Sequence, residues 1–132
     1  MWLATKHGFY SIVQKPPGNF HVRARVRQDL VNLLTLVQKD LEILDWPAAD
    51  YRFRIIVTQR DLGEIMAAMA LALDYPNFKN QIARTPDQRI KLNAFHEIWA
   101  ILASLQQPLD LREATGISTT NTRTHHDTPS DR

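Results

Sequence analysis

The chain has 132 residues, a formal net charge of +2, and 44% hydrophobic and 23% charged residues. These values are typical of one globular domain that buries its own core, and the mild charge permits an acidic partner without requiring one. Because the chain has no cysteine, disulfides, thiolate metal sites and cysteine nucleophiles are excluded. No apolar run resembles a signal peptide or a membrane span, which favours a cytoplasmic location and no membrane partner.

Residues 20–27 form the most informative segment. Their apolar side chains alternate with a basic set, which consists of His21, Arg23, Arg25 and Arg27. A period of two places the two sets on opposite faces of a β-strand. The proline- and glycine-containing turn at 15–19 and the strand formers before it predict an antiparallel hairpin, roughly 9–14 against 20–26.

A second strand is predicted at 51–57, where Arg52 and Arg54 repeat the alternation. If both strands lie in one sheet, five guanidinium groups share a face: Arg23, Arg25, Arg27, Arg52 and Arg54. The apolar positions between them, Val26 and Tyr51 included, would then face the helices. If the two strands run parallel, a right-handed β-α-β connection joins them.

Helical spacing of leucine and valine predicts an amphipathic helix over 28–44, closed by Trp46 and Pro47. Asp29 lies in its first turn, where the helix dipole favours an anion. A second helix follows the second strand and begins at the N-cap Thr58.

A short helix is predicted at 78–83, and Thr85 is the predicted N-cap of a last helix that runs to about Leu105. The predicted fold is therefore α+β: a small mixed sheet, made of the N-terminal hairpin and a β-α-β strand, with about three helices on one face. We expect a single domain over 1–107 and a threonine-rich, disordered tail over 108–132.

The arginine face has two interpretations. It is a solvated face whose side chains pair with nearby acids, or it is a platform for phosphates or carboxylates, to which His21 and Tyr10 could add stacking surface. The second interpretation predicts a non-enzymatic binding or interaction domain with an anionic partner, either a protein or a nucleic acid.

Two alternatives stay open. In a small hydrolase or transferase, the arginines would hold a phosphorylated or acidic small molecule, and His96 or an acid would transfer the proton. In a homodimer formed through the open sheet face, the arginines would pair with acids of the second copy, such as Asp50. The sequence contains no motif for a nucleophile or a cofactor. A metal motif is absent as well, because His96 lacks a second histidine four residues later.

A second candidate site lies between two predicted helices, where polar side chains of different chemistry cluster. Its members are Asp74, Tyr75, Asn77 and Lys79. The alternative is a simple helix stop and start, with Tyr75 and Phe78 as core anchors.

Five sequence pieces are fairly specific as labels: GFYSIV at 8–13, VRAR at 22–25, DYRFR at 50–54, DYPNFK at 74–79 and HEIW at 96–99. On these pieces the chain resembles a family of small bacterial proteins of unknown function. The resemblance covers roughly residues 2–105. It implies a bacterial, cytoplasmic setting and one compact domain, and it carries no activity over to this chain.

Overall fold

The structure is a computed structural model that describes residues 1–106. Its elements follow in the order β1 (Trp2–Ala4), β2 (Phe9–Lys15), β3 (Asn19–Ala24), α1 (Arg27–Val37), β4 (Leu44–Asp45), β5 (Phe53–Val57), α2 (Gln59–Leu71), α3 (Phe78–Arg84), a 3-10 turn (Arg89–Lys91) and α4 (Leu92–Ala103). The predicted α+β class is confirmed. No helix in this part of the chain is long and apolar enough to cross a membrane. The predicted tail, 108–132, lies outside the described residues.

The five strands of the described chain form one sheet in the order β1-β2-β3-β5-β4, and every neighbouring pair is antiparallel. The hairpin of β2 and β3 is confirmed, but the expectation of a mixed sheet is wrong. The helical connection after β3 leads to β4, which runs in the same direction as β3. Strand β5 then returns between the two, so that it pairs with β3 in the antiparallel sense.

The first helix ends at Val37, seven residues before the predicted end. Gln38 adopts a left-handed conformation, with φ 54° and ψ 42°, and the N–H of Lys39 closes on a carbonyl of the last turn. Leu41 and Ile43 then pack against the core from a non-helical segment. Apolar residues therefore continue at near-helical spacing beyond the point where the helix stops.

Helices α1 and α2 pack against β3 and β5 on one face of the sheet. The buried side chains of this core are Tyr10, Ile12, Val22, Ala24, Leu30, Leu33, Ile55, Val57, Ile65 and Met69. Each large aliphatic among them contributes about 1.5–3 kcal/mol of transfer free energy. Because side chains alternate along a strand, the register places Ser11, Arg23 and Arg54 together on the opposite face.

The predicted cap of α2 is present, and the short helix α3 has a side-chain cap that was not predicted. The Thr58 hydroxyl accepts from the N–H of Asp61 at 3.2 Å, and the Asn77 side chain accepts from the N–H of Asn80 at 2.9 Å. Both caps satisfy one of the donors that a helix start leaves unpaired. Aromatic rings then join these elements, with Phe95 of α4 at 4.9 Å from the ring of Phe78.

Asp29 has a larger role than a first-turn anion. It is 1% exposed, and its carboxylate accepts from the backbone N–H of Phe9 at 3.2 Å. The Gln88 amide donates to it at 3.0 Å and the Lys91 ammonium at 2.6 Å. The Tyr10 hydroxyl donates to the Asp29 carbonyl at 2.7 Å. One residue thus joins β2, α1 and the segment that leads into α4.

This junction explains why the last helix does not begin at Thr85. Thr85 instead closes α3, and α4 begins at Leu92 after the 3-10 turn. The side chain of Gln88 is fully buried and donates both to Asp29 and to the His7 carbonyl, at 3.1 Å. A Gln88 side chain that points into the interior does not fit a first helical turn that faces solvent. The long-range hydrogen bonds of Gln88 therefore outweigh the local capping sequence at Thr85.

The chain divides into a compact unit over Met1–His96 and a second unit that begins at Glu97. Of the second unit, the structure describes residues 97–106, which contain the end of α4. Its large apolar side chains are 38–71% exposed: Ile98, Trp99, Ile101, Leu102 and Leu105.

Gly8 lies against Asp29 so closely that it cannot carry a side chain. A Cβ atom at Gly8 would lie 2.5 Å from the Asp29 Cβ and 2.8 Å from the Tyr10 hydroxyl. Gly63, in contrast, lies on an open side of α2, where a Cβ would meet no neighbouring atom within 4 Å. The two glycines therefore form a matched pair for the same substitution.

We expect Gly8→Ala to lower the free energy of unfolding by about 2 kcal/mol, because the added methyl group overpacks the junction. Gly63→Ala should raise it by up to about 1 kcal/mol, because alanine is the better helix former. Urea unfolding followed by circular dichroism measures both values. Equal effects of the two substitutions would contradict this account of Asp29.

Candidate anion-binding site

The loop of residues 46–52 connects β4 to β5 and folds back on itself. The N–H of Trp46 donates to the Arg52 carbonyl at 2.7 Å, and the N–H of Tyr51 donates to the Asp50 carboxylate at 2.8 Å. These bonds place the rings of Trp46 and Tyr51 against arginines of the sheet face opposite α1 and α2. Sequence reasoning treated Trp46 only as a helix stop, and no local pattern indicates its contact with Arg54.

Two guanidinium groups lie over the ring of Tyr51. The central carbon of Arg25 is 4.0 Å from the ring centroid and that of Arg23 is 4.6 Å away. Tyr51 is only 4% exposed, so its ring is covered rather than available to a ligand. The expectation that Tyr51 and Val26 face the helices is wrong: both lie outside the regular strands, and Val26 is 41% exposed.

Arg23 is held by a neighbouring strand as well as by the ring. Its Nη2 donates to the Ser11 hydroxyl at 2.7 Å. On the other side, Arg23 lies directly opposite Arg54 in the β3–β5 register. Like charges directly opposite each other in a sheet destabilise it, so this pair costs free energy in the absence of an anion.

Arg54 is 4% exposed and is fixed from three sides. Its Nη2 donates to the Tyr51 carbonyl at 2.9 Å, its Nη1 lies 3.3 Å from His21 Nδ1, and its guanidinium lies 3.9 Å from the Trp46 ring centroid. Its Nε is buried without a hydrogen-bond partner within residues 1–106. Burial lowers the pKa of Arg54, with a further contribution from Arg23. Arg54 therefore holds the loop in place and is not accessible to a macromolecular ligand.

The cluster of Arg23, Arg25 and Arg54 has no acidic partner in the described part of the chain. None of the three has a carboxylate oxygen within 4.0 Å there, the limit for an ion pair. Arg25 is exposed and stacks on Tyr51, and its side chain makes no hydrogen bond or ion pair within residues 1–106. We call these three residues the arginine cluster.

The other two predicted arginines lie apart from this cluster. Arg52 forms a two-pronged ion pair with Asp45, at 2.7 and 3.0 Å, which lowers the pKa of Asp45. Arg27 begins α1 and lines a shallow surface cavity of about 530 Å³ with Lys39 and Glu42. The structure thus brings together three of the five arginines on the predicted face.

Two members of the second candidate site lie beside the turn between β1 and β2. Asp74 accepts from the Lys6 ammonium at 2.6 Å, and this hydrogen bond lowers the pKa of Asp74. Tyr75 lines an apolar cavity of about 240 Å³ together with Leu3 and Met69. Asp74 is therefore used in an ion pair, and Tyr75 packs at the edge of the unit.

The remaining candidates belong to α3 and α4. Asn77 caps α3, as described above, and Lys79 is a half-buried residue of the same helix. His96 is exposed on α4. The helix stop and start at 74–78 accounts for the role of Asn77, whereas Asp74 pairs with the distant Lys6.

The hydrolase alternative requires a concave pocket beside the arginines. A third cavity, of about 590 Å³, lies between Lys6, His7 and residues of α1. The arginine cluster lines neither this cavity nor the two described above. Within residues 1–106 no group of three or more histidines and carboxylates could hold a metal ion.

The different positions of Arg54 and Arg25 give a stability prediction. Arg54→Ala removes two hydrogen bonds and the contact with Trp46, so we expect it to lower the free energy of unfolding by about 2–3 kcal/mol. Arg25→Ala removes one exposed stacking contact and should cost less than about 1 kcal/mol. Urea unfolding of both variants tests this, and a cost for Arg25→Ala as large as that for Arg54→Ala would refute the division of roles.

Comparisons of the chain with protein-family models, with curated proteins and with solved structures find no match. The resemblance to a bacterial family therefore stays a prediction from the sequence pieces. What the arginine cluster can bind follows from its own geometry and charge.

Proposed function

We propose that this chain is a non-enzymatic, cytoplasmic binding domain whose Arg23 and Arg25 hold carboxylates of an acidic protein partner. The observation that carries the proposal is the pair of guanidinium groups over one buried tyrosine ring, without a carboxylate partner within residues 1–106. Planar guanidinium groups bind carboxylates through two parallel hydrogen bonds, and stacking on an aromatic ring does not use those N–H groups. Arg25 keeps its donors for a ligand, whereas Arg23 directs Nε and Nη2 at Ser11 and keeps Nη1.

The stacking also reduces the entropic cost of binding. A free arginine side chain loses about 2 kcal/mol of rotamer freedom when a ligand fixes it. Arg23 is already fixed by Tyr51 and by Ser11, and Arg25 is fixed by Tyr51. A partner therefore meets donors whose positions are set before it arrives.

The fixed cation of Arg54 contributes to the same field. It lies opposite Arg23 in the sheet, and each of these charges raises the free energy of the other. A bound carboxylate would relieve this repulsion. The positive charge of Arg54 thus strengthens binding of the anion without a direct contact between the two.

A protein partner is favoured over a nucleic acid by the surroundings of the cluster. Trp46 is 43% exposed and Ile56 is 41% exposed, and both lie with the cluster around β5. Tryptophan and arginine are enriched at protein interfaces. Binding of single-stranded nucleic acid depends on open aromatic faces for base stacking, whereas the ring of Tyr51 is covered.

The proposal predicts that Arg23→Gln/Arg25→Gln weakens binding of a fluorescein-labelled octaglutamate peptide by about 100-fold, since each charge-assisted contact contributes about 1.5 kcal/mol. The matched control is Arg84→Gln/Arg89→Gln, which removes the same charge from exposed positions in and after α3. Fluorescence anisotropy measures both affinities.

Equal losses in the two double variants would show that only net charge matters, which overturns the proposal. The same titration with an eight-residue oligothymidylate tests the nucleic-acid alternative. Tighter, arginine-dependent binding of the oligonucleotide, with a log–log salt slope of about −1.4 for two phosphate contacts, would replace the protein partner by a nucleic acid. No arginine-dependent binding of either probe overturns both.

A further inference from the structure

His21 lies behind the arginine cluster and takes part in its hydrogen bonds. It is 9% exposed, its Nδ1 is 3.3 Å from Arg54 Nη1, and its ring centroid is 6.0 Å from that of Trp46. Arg23 lies two residues further along the same strand, on the same face as His21. Since an arginine always donates, His21 Nδ1 must be the acceptor, and the ring is neutral.

The charges that face His21 are almost all positive. Arg54 approaches from β5, Arg23 lies on β3 with His21, and Lys15 lies at the end of β2. These cations add to the effect of burial, which is the larger cause, and together they lower the pKa of His21. The carboxylate of Asp50, in the loop of residues 46–52, offsets part of the charge at Arg54.

We infer that binding of an anion at Arg23 and Arg25 is coupled to uptake of one proton by His21, so that the site binds more tightly as the pH falls below neutrality. The inference rests on the proposed function, because it concerns the same site. Protonation makes Nδ1 a donor, which removes the acceptor of Arg54 and places another positive charge in the cluster. A bound anion offsets that charge.

Linkage makes the coupling reciprocal: an anion that favours protonated His21 is itself bound more tightly by the protonated form. The free protein holds His21 neutral at pH 7.5, and the bound anion raises its pKa. Proton uptake on binding therefore occurs at pH values between the lowered His21 pKa of the free protein and the higher pKa of the complex. We expect the affinity for a dianion to rise about three- to tenfold between pH 8 and pH 4.5.

The test uses inorganic sulfate, which keeps its double charge over this range. Proton NMR follows the His21 ring from pH 8 to pH 4.5 in saturating sulfate and in chloride of equal ionic strength. The expected result is a higher His21 pKa in sulfate than in chloride. The Arg23→Gln/Arg25→Gln variant should lose the difference at His21.

The outcomes separate the two proposals. If sulfate does not bind at any pH, or binds equally to the double variant, the anion site itself is refuted. If sulfate binds through the arginines but the His21 pKa is the same in both salts, the proton coupling alone is refuted. His21→Gln keeps a side-chain acceptor for Arg54 and should bind sulfate with no pH dependence; the wild-type titration decides the question even if that variant is unstable.

Discussion

Asp29 places a carboxylate in the interior of the domain, where β2, α1 and the segment leading into α4 meet. Burying such a charge costs several kcal/mol unless it is paired and hydrogen-bonded. Lys91 supplies the opposite charge at 2.6 Å, and Phe9 and Gln88 supply the remaining donors. Since the N–H of Phe9 is one of these donors, the start of β2 is fixed relative to α1. This also fixes the phase of the strand, that is, which of its side chains face the helices.

That phase decides which side chains of the sheet meet. Tyr10 and Ile12 turn toward the helices, so Ser11 turns outward, in line with Arg23 and Arg54 across β3 and β5. Two arginines directly opposite each other would be costly on an open sheet face. The loop of residues 46–52 offsets that cost, because its rings stack on the guanidinium groups at 3.9–4.6 Å. Each such contact contributes about 0.5–2 kcal/mol, the larger value where the charge is desolvated.

Local patterns predicted the local features of this fold. Alternation identified β3 and β5, and Thr58 marked the start of α2, because a strand face or a cap depends on residues a few positions apart. Two partners of Asp29, Gln88 and Lys91, lie 59 and 62 residues away, and no periodicity indicates contacts of that length. Its position in the first turn of α1 suggested only a dipole interaction.

The different surroundings of the five arginines could not be predicted from the sequence either. Alternation predicts a face but not what covers it, so Arg54 beneath Trp46 and Arg52 beside Asp45 looked equivalent in the sequence. The mixed sheet was expected because strand, helix and strand follow one another. The two-residue strand β4 reverses the chain before β5, and it is too short to leave a periodic signal.

The charge at the arginine cluster results from the distribution of acids and not from their number. The chain has 14 acidic residues against 16 lysines and arginines. Acids pair with Lys6, Lys39, Arg52 and Lys91 elsewhere in the described chain. At Tyr51 the two arginines are instead ordered by a neutral ring, and the neighbouring His21 is an uncharged acceptor. Arginines that are fixed in place without a carboxylate partner in residues 1–106 would meet an anion without first releasing one from that part of the chain, which is the electrostatic basis of the site proposed above.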